Sequence, residues 1–435
     1  MRFVRSSRMK LAVVAGTLAL GLSLSTPGRA EVTIVKGDAW EMYTTGRVDA
    51  FFSYGVGDAN PVVRPGENIP AGGGLNTGND NVPSSSPPVI GPDGNPVQQQ
   101  GRFQSMRLRS GFIPNVFGVG FRRQLNEDTT LSVKIAIWAT LETDSQRKEA
   151  QVVADAREGY LKLESKKWGS VLAGRALDLF SRGATQNDFM YGHGYGLGFP
   201  GNIDNVGPTN GMIGFGVLAA FFSPGIVYNT PNFAGLQLAV GVYDPSPLAG
   251  FFDATRAART EGELTYDLTA GIMKLHLFGN GGYQTFYKNG SNDSAHGYGV
   301  GYGGRIEVGP VHLGLAGHYG KGLGLEYAFE SGDVAVSPSF ELRDFDGYSA
   351  LGQVALGKFD LNAGWGISRV FALPSDNQPG ANISLPQQWA VSAGVVYHVT
   401  DYLHLDVDYL HALATWSLNE KQMMDFINTG MIATW

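Results

Sequence analysis

The chain contains no cysteine. A disulfide-stapled secreted fold is therefore excluded, as is any thiolate metal site. Past Ala30 it also lacks a long apolar run. The longest, Val217 to Phe222, falls far short of the ~18 apolar residues that a transmembrane helix needs. Nor is there an excess of positive charge. The net charge is −7, and the first 30 residues carry five basic and no acidic side chains, so removing them takes it to −12. That balance argues against nucleic acid as a partner.

What is present points to export. Arg2, Arg5, Arg8 and Lys10 precede an apolar stretch from Leu11 to Ser25, and Gly28-Arg29-Ala30 places small residues around a cleavage position. Residues 1–30 are expected to be a signal peptide removed after Ala30, leaving 31–435 as one domain. A single membrane-anchoring helix is the competing reading, disfavoured by the short run and the Thr-Pro-Gly that follows it.

The remainder is dominated by alternation. From Thr129 to Glu142, Leu131, Val133, Ile135, Ile137, Ala139 and Leu141 share one face, and Ser132, Lys134, Trp138, Thr140 and Glu142 the other. Phe359 to Ser368 and Leu403 to Tyr409 repeat the pattern. One apolar and one polar face suit a strand set between lipid and water. Sixteen such strands are expected, near 40–56, 101–124, 129–142, 155–165, 168–177, 224–231, 234–244, 259–268, 272–286, 296–308, 311–320, 343–356, 359–370, 387–399, 402–416 and 421–435. Short turns follow every second strand and long polar stretches lie between them. The fold class is therefore all-β: a 16-stranded antiparallel transmembrane β-barrel with short periplasmic turns and long external loops, wide enough for an aqueous channel.

Two long connections stand out. Residues 59–100 form a Pro/Gly/Asn/Ser tract read as the first external loop, with an interdomain linker as the alternative. Residues 181–223, the third loop, carry Phe189, Tyr191, Tyr195, Phe199, Phe215, Phe221 and Phe222. So much apolar area is costly in water, so this loop is expected to fold inward.

Three hairpins carry a family likeness. They are Phe117-Gly118-Val119-Gly120-Phe121 followed by Gln124 to Asp128; Ala156-Arg157 to Leu161 followed by Trp168 to Arg175; and Ile226 to Gly235. With the terminal Gly430 to Trp435, they resemble the general bacterial porins, the trimeric sixteen-stranded family of Gram-negative outer membranes. The third-loop text Gly192 to Gly201 departs from the enterobacterial form, and the last residue is Trp where Phe is usual. The resemblance implies a homotrimer in outer-membrane lipid, passing small polar solutes and ions without a cofactor. It also implies delivery to the barrel assembly machinery through the C-terminal strand, where Trp435, Ala433 and Met431 share a face.

The resemblance further implies a constriction in which loop acids oppose a basic wall. The basic candidates are Arg47, Arg107, Arg109, Lys134, Arg157 and Arg175; the acidic ones are Asp178, Asp188 and Asp204. Arg157 conflicts with simple alternation, which points it at lipid, so either a bulge intervenes there or its assignment to the pore is wrong. Gly299 to Gly304 spells GxGxxG but reads as strand, without the following helix of a dinucleotide site. His193 is more often a loop histidine than a metal ligand, and His312 and His318 are expected to face water. Rival readings are a sugar- or anion-selective channel, a barrel enzyme with Ser and His on its outer wall, and a structural or adhesive surface protein. No lumen ladder of aromatics or of Lys/Arg is evident in the sequence.

Overall fold

The computed structural model describes residues 31–58, 102–139, 154–190, 208–246, 248, 252–253, 256–329, 335–337, 339–377, 385–415 and 421–435. The signal segment 1–30, the whole tract 59–100, and Tyr191, His193, Tyr195, Phe199 and Asp204 of the third loop lie outside the described residues.

The strands are β1 Val32–Lys36, β2 Trp40–Asp58, β3 Arg102–Arg109, β4 Asn115–Gln124, β5 Thr129–Ala139, β6 Ala154–Ser165 and β7 Gly169–Leu177. They continue as β8 Phe222–Asn229, β9 Leu236–Tyr243, β10 Phe252–Asp253, β11 Arg259–Ala270, β12 Met273–Lys288 and β13 Ser294–Val308. The last six are β14 Val311–Lys321, β15 Asp344–Leu356, β16 Phe359–Phe371, β17 Gln387–Thr400, β18 Leu403–Thr415 and β19 Lys421–Thr434. Among the described residues one α-helix, α1 Arg182–Asn187, follows β7.

All strand pairings are antiparallel, and the sheet closes where β19 pairs with β2, from Thr434↔Arg47 to Met424↔Gly57. The wall is a closed 16-stranded barrel. β3 and β4 share one place in it, pairing with the upper and lower parts of β2. This corrects the single strand expected over 101–124, which opens between Ser110 and Pro114. Two short strands were also missed: β1 extends the β19 edge along β2, and β10 adds to β12.

Closure joins the two ends of the sheet, so the wall has no open edge at the seam, as crossing a bilayer requires. At the seam the Gly46 N–H donates to the Trp435 carbonyl at 2.7 Å and the Trp435 N–H returns the bond at 3.0 Å. The Trp435 ring covers Gly46 so closely that a Cβ there would sit 2.2 Å from it. Met431 points outward, 54% exposed.

Alternation fixes the two faces. β9 exposes Leu236, Leu238, Val240 and Val242 outward and buries Ala239 and Tyr243 inward. The short turns fall where the sequence places them. Three contain Gly271, Gly309 and Gly357 at φ of +60°, +56° and +63°, where side chains other than glycine are strained. Gly299 to Gly304 lies inside β13.

Candidate functional site

The loop between β7 and β8 is stapled at its feet by Asp178. One oxygen accepts the Ser223 N–H at 3.0 Å, the other accepts the Ser223 hydroxyl at 2.8 Å, and the Asp178 N–H donates to the Phe221 carbonyl at 2.8 Å. Asp178 also pairs with Arg259 of β11, both buried. Burial pushes its carboxyl up to about 7, against the pull of the Arg259 guanidinium and helped by the Glu261 charge. Glu261 accepts the Leu179 and Phe180 N–H groups, both at 2.8 Å.

From this anchor the loop lies against the lumen side of the opposite wall. α1 packs on β12, β13 and β14. Arg182 pairs with Glu263, and the Asn187 amide donates to the Gly304 carbonyl at 2.9 Å. Asp188 ties the two arms together by accepting the Met190 N–H at 2.9 Å and the Met212 N–H at 2.6 Å. Beyond it, Gly216 donates to the Ser368 hydroxyl at 2.9 Å, and Gln388 donates to the Gly214 carbonyl at 2.8 Å. Glycine in β16 makes the seat: a Cβ on Gly366 would fall 1.7 Å from the Phe215 carbonyl oxygen, and one on Gly364 2.2 Å from Met190.

The returning arm explains the break between β3 and β4. There the Phe112 N–H donates to the Pro208 carbonyl at 2.6 Å, and the Ile113 N–H to the Thr209 hydroxyl at 2.8 Å. These amides serve the loop instead of a neighbouring strand. A second connection also turns inward. In residues 322–343, Leu323, Leu325, Phe329 and Leu342 are buried, and the Ala219 N–H donates to the Glu326 carbonyl at 2.7 Å.

The basic candidates sit on neighbouring strands. Arg47 pairs with Asp49 at 2.7 Å, and both are buried. Arg107 is half-buried and Arg109 buried on the inner face of β3. Lys134 pairs with Glu158 at 3.0 Å. The expected bulge is present: Ala136 pairs with Glu158 but Trp138 pairs with Asp155, so two residues of β6 oppose one of β5. It turns Arg157 inward, 4.7 Å over the Trp138 ring and 3.0 Å from Asp155. Arg175 lies 3.6 Å from Asp155 and donates to the Phe222 carbonyl at 3.0 Å.

The acids behave differently from the basic residues. Asp178 and Asp188 bond to the loop's own backbone and hold its shape. His318 does not face water: it is 5% exposed. His312 bonds Gln353 at 2.6 Å. The sequence reading also missed a row of rings on the lumen side, formed by Phe112, Tyr327, Phe221, Phe222 and Trp138. These residues come from the strand break, two loops, β5 and the first residue of β8, so no local spacing could reveal them.

A family model described as Gram-negative porin matches residues 44–413. Among solved structures, the chain is similar to the outer-membrane channel DcaP of Acinetobacter baumannii at TM-score 0.61 and 12% identity, covering 93% of this chain and 100% of that one. Outer-membrane expressed OmpT of Vibrio cholerae gives 0.52 and 13%, covering 92% and 99%. Salmonella typhi OmpF, solved in complex with daunomycin, gives 0.53 and 11%, covering 93% and 100%. No curated protein sequence matches the chain.

Proposed function

Because the chain belongs to the Gram-negative porin family, a family of outer-membrane channels, we propose that it admits small hydrophilic solutes and ions by passive diffusion. One observation carries the reading. The inward loop is seated on the wall from β12 to β17, which leaves the charged inner face of β2 to β6 as the side along which water runs. In that passage the residues 181–223 form the narrowest point, and Arg47, Arg107, Arg109, Lys134, Arg157 and Arg175 set the field that ions meet. Asp178 and Asp188 act by holding the loop, which leaves Asp204 as the remaining acidic candidate for the constriction.

The outer face supports a homotrimer. On β3 to β6 the exposed large apolar side chains are aliphatic apart from Phe117: Met106, Leu108, Val133, Ile135, Ile137 and Leu161. On β12 to β18 the outer face instead carries Tyr283, Tyr298, Tyr319, Tyr348, Trp365 and Tyr409. An aromatic belt suits a lipid interface, and an aliphatic face without one suits packing against another copy. Export with cleavage after Ala30, and recognition of Met431, Ala433 and Trp435 by the assembly machinery, complete the proposal.

Planar-bilayer recording of purified trimer tests it. Ohmic steps that scale with salt concentration, and solute flux that does not saturate, are expected. No conductance would overturn the channel reading, and saturable flux of one solute class would overturn unselective diffusion.

A further inference from the structure

We propose that His398 and His404, paired on the lumen face of β17 and β18, form an exchangeable site for a late first-row divalent metal ion, such as zinc, at the short-turn mouth of the passage. The inference rests on the channel reading and adds a binding site to it. His398 stands opposite His404 across the hairpin, and the ladder shifts by one residue at Val399. A bulge of this kind re-aims the side chains beside it. Alternation turns both rings inward: Val395 and Leu405 point outward, whereas Val396 and Asp406 are buried. The two Nδ1 atoms lie 2.7 Å apart, and the rings meet at 88° with centroids 4.7 Å apart. On its other side, His398 Nε2 lies 2.7 Å from a carboxylate oxygen of Asp360 on β16.

Asp360 sets the chemistry of the pair. A carboxylate only accepts, so His398 Nε2 carries the proton and His398 Nδ1 keeps a lone pair. That lone pair faces His404 Nδ1, which holds the proton of the short contact. A divalent ion takes the place of that proton: it moves to His404 Nε2, both Nδ1 lone pairs ligate, and no proton is lost. Two nitrogens at roughly 2.0–2.1 Å from a tetrahedral ion stand about 3.3 Å apart, so the rings need open by only about 0.6 Å. An imidazole whose outer N–H is held by a carboxylate is oriented and made more basic for such a bond. The local charges agree. Asp360 and Asp401 act on His404 from the rim, and Arg47, facing it from β2, is met by Asp49 at 2.7 Å. His404 is buried, but the pair is open to lumen water on its other side, where the His398 side chain is 27% and the Asp360 side chain 19% exposed. Among the described residues no third His, Asp or Glu joins the pair in a ligand set. Water therefore fills the remaining positions, and the ion stays exchangeable.

The test titrates the full-length protein in detergent with zinc alone, in competition with a chromogenic zinc indicator. Heat-modifiable migration shows which variants are folded barrels. The unaltered protein should take up zinc, and His398→Gln and His404→Gln should each weaken that uptake by about 10-fold or more. Asp360→Asn should weaken it by about 10-fold, the low end for losing a carboxylate behind a ligating imidazole. His312→Gln, on β14, should change nothing. Magnesium, which takes oxygen ligands, should not displace the zinc. No uptake by the unaltered protein, displacement by equal magnesium, or a folded His398→Gln that binds zinc as tightly as before would overturn the site. Histidine-dependent zinc uptake by a protein without conductance would leave the site standing and strike at the channel reading instead.

Discussion

Along β12 to β16 the lumen side presents Phe278, Phe286, Ala316, Leu351 and the bare backbone of Gly364 and Gly366, with the uncharged polar Asn280, Gln284 and Ser368 and the buried His318 among them. Along β2 to β6 it presents Arg47, Asp49, Arg107, Lys134 and Glu158. Both stretches alternate with the same period and both turn an apolar face outward. The difference lies in what covers the inner face. Small and apolar inner residues accept a folded loop, because close packing rewards fitted apolar surface. Charged inner residues need water or paired charge, because an unpaired charge under an apolar cover is costly. Period two tells inside from outside, and the chemistry of the inner positions tells loop seat from water path.

The seam joining the two regions should show the largest effect. Deleting Trp435 removes the ring over Gly46 and both backbone bonds that end the sheet, so most of the protein should fail to assemble as heat-modifiable barrel. Normal amounts in outer-membrane fractions would count against this.

Filling the seat should come next. Gly366→Leu drives a side chain into the Phe215 carbonyl, an overpacking that costs about 1–3 kcal/mol. The loop should lift, with noisier and larger single-channel conductance. A leucine on the outer face of β12 at Gly279, where a Cβ meets nothing within 4 Å, should leave conductance unchanged.

A smaller shift should follow from the charged wall. Replacing Arg107 and Arg109 together by Gln should move the reversal potential in a salt gradient toward cation preference. The shift should shrink at 1 M salt, where the Debye length falls to ~3 Å. The same double change giving no shift at low salt would remove these residues from the passage.

The smallest effect concerns the loop's foot. Burial raises the Asp178 carboxyl to about 7 in the folded protein, above the unfolded value of ~3.9. A carboxyl raised on folding contributes stability that is complete below pH ~4 and is lost as pH rises through about 7. Heat resistance of the barrel should therefore fall modestly from pH 5 to pH 8, and Asp178→Asn should flatten that slope. An unchanged slope in the variant would assign the effect elsewhere.

The barrel was legible because alternation repeats along almost every strand and four of the seven short turns carry Gly or Pro. The break at Ser110 to Pro114 was not, because its amides are taken by Pro208 and Thr209, almost a hundred residues away. The bulge at Arg157 was legible, since a cation misplaced by parity demands an extra residue. The basic wall could be listed because its members lie on strands of known face. The roles of Asp178 and Asp188 could not, since a loop acid looks the same whether it faces water or caps backbone N–H groups. Tyr327 escaped notice because residues 322–343 carry too little regular pattern to show that they turn inward.

The absence of cysteine makes one measurement direct. Ser132 on β5 is half-exposed on the charged wall, whereas Ser349 on β15 is 3% exposed beneath the loop seat. Each is replaced singly by cysteine and treated with a charged, water-soluble thiol reagent while current is recorded. Ser132→Cys should react rapidly and lower the conductance, and Ser349→Cys should remain silent. Rapid reaction at position 349 with silence at position 132 would place the water path on the opposite wall and contradict the division of the lumen described above.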